Sequence, residues 1–134
     1  MKKFNPSGVA APAGPYSHGV EVPANARWLY LAGQIGVAPD GKVSPDFEAQ
    51  ADQCWRNIKA ILAEAGMGVE NLVKVTHFLT RAENVAAYGK VRAKHVGEAR
   101  PASTLLVISA LARPGLLVEV EAIAARRLPS DATA

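Results

Sequence analysis

The chain has 134 residues, a length that suits one domain covering residues 1–134. Apolar residues make up 49% and charged residues 20%, so a packed core is expected and disorder is not. The net charge of +3 comes from scattered basic residues and only 6% of residues are aromatic, which argues against a nucleic-acid groove built from a basic stripe and stacking rings.

Apolar runs and cysteine content bear on the compartment. No apolar run approaches the roughly 20 residues of a spanning helix, so no membrane partner is expected. Lys2 and Lys3 are followed by prolines and glycines instead of an apolar signal core, which favours a cytoplasmic location. Cys54 is the only cysteine and the three histidines lack metal-ligand spacing, so neither a disulfide nor a metal site is expected.

The first part of the chain predicts an arm followed by two strands. Residues 1–15 are rich in Pro, Gly and Ala and are expected to be irregular. Residues 17–22 and 27–36 have strand composition and are separated by a turn at 23–26.

A first helix is predicted after the turn at residues 39–41. Ser44 is a suitable N-cap and Pro45 suits the first helical position. Gly66 is a suitable residue just beyond the helix end. Between them, apolar residues recur at spacings of three and four and predict one buried stripe: Phe47, Ala51, Cys54, Ile58, Ile61, Leu62 and Ala65.

The second half predicts a strand at 72–80, an amphipathic helix at about 83–97, and strands at 103–111 and 116–127. The element order is therefore β-β-α-β-α-β-β, an α+β chain. The strand at 103–111 is apolar on both of its faces, so both faces must be covered. Two helices can cover only one face of a sheet, and the other face therefore predicts an oligomer.

Two carboxylates lie in the last strand. Glu119 and Glu121 are two positions apart among apolar neighbours, so both point to the same side. A carboxylate in such a place needs water, a cationic partner or protonation. One interpretation is a partly hydrated face or pairing with Arg, and the other is a pocket in which one Glu handles protons or water.

Tyr16 and Arg100 are further candidates for a site. Tyr16 follows Gly14-Pro15, a rigid approach that can fix its ring, although it is equally an ordinary anchoring aromatic residue. Arg100 precedes Pro101, which biases Arg100 towards extended geometry. An extended Arg can grip a substrate carboxylate with two hydrogen bonds, whereas a surface charge is the simpler interpretation.

The chain resembles the Rid (YjgF) family from about residue 5 to Arg127. The motifs that carry the resemblance are Gly14-Pro15-Tyr16, Ala32-Gly33-Gln34-Ile35-Gly36, Arg100-Pro101-Ala102 and, most specifically, Glu119–Arg127. The resemblance implies a chorismate-mutase-like fold with two helices on one face of a mixed sheet. It also implies a homotrimer, with sheets packed into a central barrel and three clefts at the subunit interfaces.

Catalytic members of this family hydrolyse reactive enamines and imines to 2-ketoacids and ammonia without a cofactor. In them an Arg binds the substrate carboxylate, a Glu and backbone groups position water, and a Tyr closes the pocket. By resemblance, Tyr16 matches the Tyr, Gly33 the pocket glycine and Glu119 the pocket Glu. Ser103 stands where the carboxylate-binding Arg belongs, since active members have Pro-Ala-Arg and this chain has Pro101-Ala102-Ser103.

The exchange of Arg for Ser103 affects the predicted function most. A neutral hydroxyl cannot replace a charge-assisted clamp, and the loss of such a contact costs a few kcal/mol. One hypothesis is therefore a trimer that binds small metabolites and has diverged from the deaminases. A second is a conventional deaminase in which Arg100 or Arg113 supplies the charge. A third is an RNA-acting protein, since some family members are described as endoribonucleases, and the scattered charge argues against it.

Overall fold

The computed structural model describes residues 1–129. Its main elements in chain order are β1 (Lys2–Phe4), β2 (Gly19–Glu21), β3 (Ala26–Ile35), α1 (Phe47–Glu64), β4 (Leu72–Leu79), α2 (Val85–Val96), β5 (Ala102–Val107) and β6 (Val118–Arg127). Short 3₁₀ turns at Val69–Asn71 and Ala82–Asn84 lead into β4 and α2.

The main sheet has four strands in the order β3-β6-β4-β5. Strand β6 is antiparallel to both of its neighbours, and β5 runs parallel to β4. Both helices pack on this mixed sheet, so the predicted α+β class is confirmed. The prediction of a wholly irregular arm is wrong, because β1 pairs with β2 in a separate two-stranded sheet.

The predicted start of α1 is wrong by two residues. The carboxylate of Asp46 accepts a hydrogen bond from the backbone N–H of Ala49 at 2.9 Å, so Asp46 is the N-cap. The hydroxyl of Ser44 instead accepts from the Asp46 N–H at 3.1 Å and shapes the approach to the helix. Gly66 follows the C-cap residue with φ of +71°, which confirms the predicted helix end.

One face of the sheet is covered by the helices. In β4 this face takes every second residue, including Val75, His77 and Leu79. The buried amide of Gln50 ties α1 to the start of β6, because it accepts from the Leu117 N–H at 2.8 Å. The buried apolar residues of this layer include Leu31, Phe47, Ala51, Trp55, Ile58, Leu62, Val75, Leu79, Tyr88, Val118 and Val120.

The opposite face of the sheet, called the open face below, is not covered by any part of residues 1–129. Trp28 and Tyr30 of β3 stack there with ring centroids 6.5 Å apart, and 73% of Tyr30 is exposed. Leu106 of β5 is exposed on the same side. An apolar surface of this kind is typical of a protein interface. Within the same residues, no helix is long and apolar enough to cross a membrane.

Candidate functional site

Gly33 of the edge strand β3 contacts Glu119 of the neighbouring strand β6. Gly33 sits at an irregularity in the pairing of β3 with β6, between Leu31 and Gln34. A Cβ atom at Gly33 would lie 2.8 Å from Cδ of Glu119, so the carboxyl group fills the space that a side chain would need. A glycine at position 33 therefore lets Glu119 lie flat against the β3 backbone.

Cys54 lies beneath this strand pair and is not a nucleophile. Its thiol is fully buried and contacts the Val118 carbonyl at 3.7 Å. Burial, and then the charge of Glu119, raise the pKa of the Cys54 thiol to about 12. The thiol is therefore protonated at neutral pH and acts as a small apolar group.

The segment around Tyr16 is fastened to the start of β5. Ser17 donates from its hydroxyl to the Arg100 carbonyl at 2.6 Å, and from its backbone N–H to the Pro101 carbonyl at 3.0 Å. These bonds place Tyr16 beside the strand that carries Ser103. The Tyr16 hydroxyl accepts from the Ala13 N–H at 3.3 Å, which holds the ring against its own turn.

The guanidinium of Arg100 is used within its own turn. It donates to the carbonyls of Gly97 and Ala99 at 2.9 and 2.8 Å, just beyond the end of α2. Arg113 lies in the exposed loop between β5 and β6. It lines a cavity of about 510 Å³ that is formed mainly by residues 109–117 together with Thr80 and Arg81.

Ser103 contacts a buried histidine. Its Oγ lies 2.9 Å from Nε2 of His77 on the neighbouring strand β4. The other ring nitrogen of His77, Nδ1, is hydrogen-bonded to the Tyr88 hydroxyl of α2. The Tyr88 hydroxyl also accepts from Trp55 Nε1 at 3.2 Å, so four side chains from α1, α2, β4 and β5 form one chain of hydrogen bonds.

Burial controls the protonation of this chain. His77 is 1% exposed, and burial, followed by the charges of Arg92 and Lys74, lowers the pKa of His77 to about 3. Burial also raises the pKa of Tyr88. Both groups are therefore neutral at pH 7, and His77 carries one ring hydrogen.

Arg92 of α2 lies close to these groups. Its Cζ lies 5.8 Å from the ring centroid of Tyr88, and its Nη2 would lie 3.5 Å from a Cβ atom at Gly14. Gly14 is two residues from Tyr16, so Arg92 reaches the same region as the Tyr16 ring. Among residues 1–129, its buried Nε has no hydrogen-bond partner.

The residues that the sequence nominated fall into two groups on opposite faces of the sheet. Ser103 is paired with Val75 on the helix-covered face, whereas Glu119 is paired with Phe78 on the open face. Gly33 accompanies Glu119, and Tyr16 accompanies Ser103. One chain does not bring the two groups into a common cavity. Residues 1–129 also contain no group of three or more His, Cys, Asp or Glu side chains suited to a metal ion.

The comparison with known proteins gives the family. The family described as Endoribonuclease L-PSP matches residues 8–126. A RutC family protein of Pyrococcus abyssi is 37% identical over 115 residues, covering 84% of this chain and 87% of the relative. The yeast protein MMF1, mitochondrial, is 35% identical over 102 residues, which are 75% of this chain and 70% of that protein.

Solved structures agree with this match. The Rid-family protein YyfB of Yersinia pestis superposes with a TM-score of 0.81 at 30% identity, covering 92% of this chain and 96% of that chain. RidA of an Antarctic Psychrobacter gives a TM-score of 0.69 at 32% identity, over 92% and 98% of the two chains. The chain therefore belongs to the Rid (YjgF) family.

Sequence reasoning did not identify His77, Tyr88 or Arg92 as parts of a site. A signal for His77 was present, because strand alternation places it on the same side as Val75 and Leu79, where an unpaired imidazole would be costly. The partner Tyr88 lies on a helix 11 positions further along the chain, and no spacing rule links the two.

Proposed function

We propose that this protein is a homotrimer whose clefts between subunits bind small metabolites, and that it has diverged from the enamine and imine deaminases of its family. The observation that carries the proposal is the environment of Ser103. Its hydroxyl is bonded to a neutral, buried imidazole, so the position offers a polar group without charge. A 2-imino acid would lack the bidentate cation that compensates desolvation of its carboxylate.

The location of the clefts follows from the two faces of the sheet. Tyr16 and Ser103 lie at the β5 edge, and Gly33 and Glu119 belong to the open face. Packing the open faces of three chains together would bury Trp28, Tyr30 and Leu106 and would bring one chain's open-face residues near a neighbour's edge. A small ligand would then contact two subunits, without any cofactor. A cytoplasmic location remains a prediction.

A conventional deaminase is the second candidate, and Arg92 favours it. Arg100 is tied to two carbonyls and Arg113 lies in a different loop, whereas the Arg92 guanidinium lies beside Gly14 with its Nε unpartnered among residues 1–129. In this case Arg92 would hold the substrate carboxylate, Glu119 would position the attacking water and Tyr16 would close the cleft. Water would add to the imine carbon, and ammonia would leave as the 2-ketoacid forms.

The test is ammonia release from 2-iminopropanoate generated in situ. The proposal expects an inactive wild type and an active Ser103→Arg variant, because only the carboxylate anchor is missing. An active wild type that loses activity on Arg92→Gln would establish the deaminase instead. Arg113→Gln is the matched control, since it removes a guanidinium remote from Ser103. Cleavage of RNA by the wild type would favour the third hypothesis.

The trimer is tested separately by light scattering at micromolar concentration. A mass of three chains is expected for the wild type. Leu106→Lys should dissociate it, because a charge would be buried in the interface. Ala60→Lys, on the exposed surface of α1, is the control and should leave the mass unchanged. A monomeric wild type would contradict the proposal.

A further inference from the structure

The hydrogen-bond chain Trp55–Tyr88–His77–Ser103 has a direction that follows from counting its hydrogens. Trp55 Nε1 is only a donor, so the Tyr88 oxygen accepts from it. The Tyr88 hydroxyl hydrogen then needs an acceptor of its own. Tyr88 is fully buried, and among residues 1–129 its only other partner is Nδ1 of His77.

The alternative direction leaves a buried donor unused. If His77 carried its hydrogen on Nδ1, the Tyr88 oxygen would accept twice and its own hydrogen would have no acceptor. That unmet donor destabilises a buried site. If His77 carries its hydrogen on Nε2, each of the three fully buried side chains uses its donor: Trp55 donates to Tyr88, Tyr88 donates to Nδ1, and Nε2 donates to Ser103.

We infer that this chain holds Ser103 as a hydrogen-bond donor directed to a ligand, and that Ser103 is not an activated nucleophile. Its oxygen accepts the hydrogen on His77 Nε2, so that nitrogen cannot act as a base for the Ser103 hydroxyl. No second protein acceptor for the hydroxyl hydrogen lies within residues 1–129. Ser103 is partly exposed at the edge strand β5, so that hydrogen is available to a bound molecule. His77 and Tyr88 are positioning residues that set this polarity.

The donor role of Ser103 defines the class of ligand that it can bind, and this step rests on the proposed metabolite cleft. The group bound at Ser103 must be a hydrogen-bond acceptor, and a carbonyl-type oxygen fits a single hydroxyl donor. Such an oxygen occurs both in a carboxylate and in a neutral amide. Pyruvate and pyruvamide share the 2-oxo group, but pyruvate has a charged carboxylate where pyruvamide has a neutral amide. Comparing the two probes therefore distinguishes a carboxylate oxygen from an amide oxygen as the acceptor.

The direction of the chain is tested first, without any ligand. Nitrogen-15 NMR of the full-length protein identifies which ring nitrogen of each histidine carries hydrogen, and the His77→Gln variant assigns the His77 signal. Hydrogen on Nε2 is expected. Tyr88→Phe removes the donor to Nδ1 and should populate the other tautomer. Hydrogen on Nδ1 in the wild type, or labelling of Ser103 by a fluorophosphonate, would overturn the inference.

The role of Ser103 towards ligand is tested by titrating pyruvate and pyruvamide into the wild type and variants. Ser103→Ala should weaken binding of whichever probe binds by about fivefold, the effect of one neutral hydrogen bond. Ser103→Thr keeps the hydroxyl and should retain affinity, and Ser109→Ala in the exposed loop should have no effect. Equal affinities of wild type and Ser103→Ala would overturn the assignment. If neither probe binds the wild type, the proposed cleft fails, while NMR still decides the direction.

Discussion

The two sides of the main sheet place a tyrosine in opposite environments. On the helix-covered side, Tyr88 is fully buried and its hydroxyl bonds to both Trp55 and His77. On the open face, Tyr30 is 73% exposed, and its hydroxyl has no hydrogen-bond partner among residues 1–129. On the helix-covered side, the hydrogen bonds that join Trp55, Tyr88 and His77 are all made within one chain. The open face leaves the large apolar side chains of Trp28, Tyr30 and Leu106 exposed, and the proposed trimer would cover them.

The largest effect on stability is expected from Tyr88→Phe. Removing this oxygen leaves the Trp55 N–H and His77 Nδ1 buried without a partner, at about 1–3 kcal/mol each. The free energy of unfolding should therefore fall by about 2–6 kcal/mol in urea denaturation. Tyr30→Phe is the matched control and should change it by less than about 0.5 kcal/mol. Equal losses in the two variants would contradict the contrast between the faces.

The next largest effect is a loss of stability in acid that comes from the buried His77. The unfolded chain binds a proton at His77 near the ordinary pKa of 6.5, whereas the folded chain does so only near about 3. Between these values the unfolded state holds more protons, so stability falls as pH falls and levels off below about 3. The expected loss is on the order of a few kcal/mol. The measurement is unfolding at several pH values.

Carboxylates also titrate in this range, so the wild type is compared with His77→Gln. As the pH falls from 6.5, the free energy of unfolding of the wild type should fall relative to that of His77→Gln. A difference that stays constant over this range would show that the His77 pKa is not depressed by the fold.

A third comparison uses Gly33 of β3 and Gly36, which directly follows the end of β3; added Cβ atoms there would point at Glu119 of β6 and at α1, respectively. A Cβ atom at Gly36 would lie 2.7 Å from the backbone Cα of Gln50 in α1, so Gly36→Ala must displace the helix. It should cost about 1–3 kcal/mol. At Gly33 the obstacle is the flexible carboxyl group of Glu119, so Gly33→Ala should cost less than about 1 kcal/mol while moving Glu119. Thermal unfolding measures both variants, and a reversed order would contradict the assignment of these contacts.

Patterns that are local in the sequence predicted the fold well. Apolar periodicity predicted α1 and most of its buried stripe, although the buried Trp55 was not included, and Gly66 marked the helix end. Both signals depend only on neighbouring residues. The N-cap was misplaced because Ser44 and Asp46 are both good caps, and only the geometry of the approaching turn decides between them. The short β1 was missed because its pairing with β2 joins segments 15 or more residues apart.

The candidate site was less predictable, because it depends on contacts between distant elements. Ser103 was recognised as an exchanged position, but its bond to His77 joins residues 26 positions apart. Likewise, strand alternation alone could not tell whether Glu119 and Ser103 share a face. That depends on the strand order β3-β6-β4-β5, which the sequence pattern does not specify.

The smallest change in stability is expected from neutralising the two glutamates of β6, where the contrast lies in activity. Glu119→Gln and Glu121→Gln keep side-chain shape and should each alter the free energy of unfolding by less than about 0.5 kcal/mol.

Only Glu119 contacts Gly33, and we propose that it alone positions water in the cleft. In a protein active on 2-iminopropanoate, either the wild type or Ser103→Arg, Glu119→Gln should lower kcat about 10²- to 10⁴-fold. Glu121→Gln should change it by no more than about threefold, since Glu121 is exposed and a lost surface charge is worth under about 1 kcal/mol. Equal losses would mean that the two carboxylates act together across the assembled open faces, and a loss confined to Glu121→Gln would reverse the assignment.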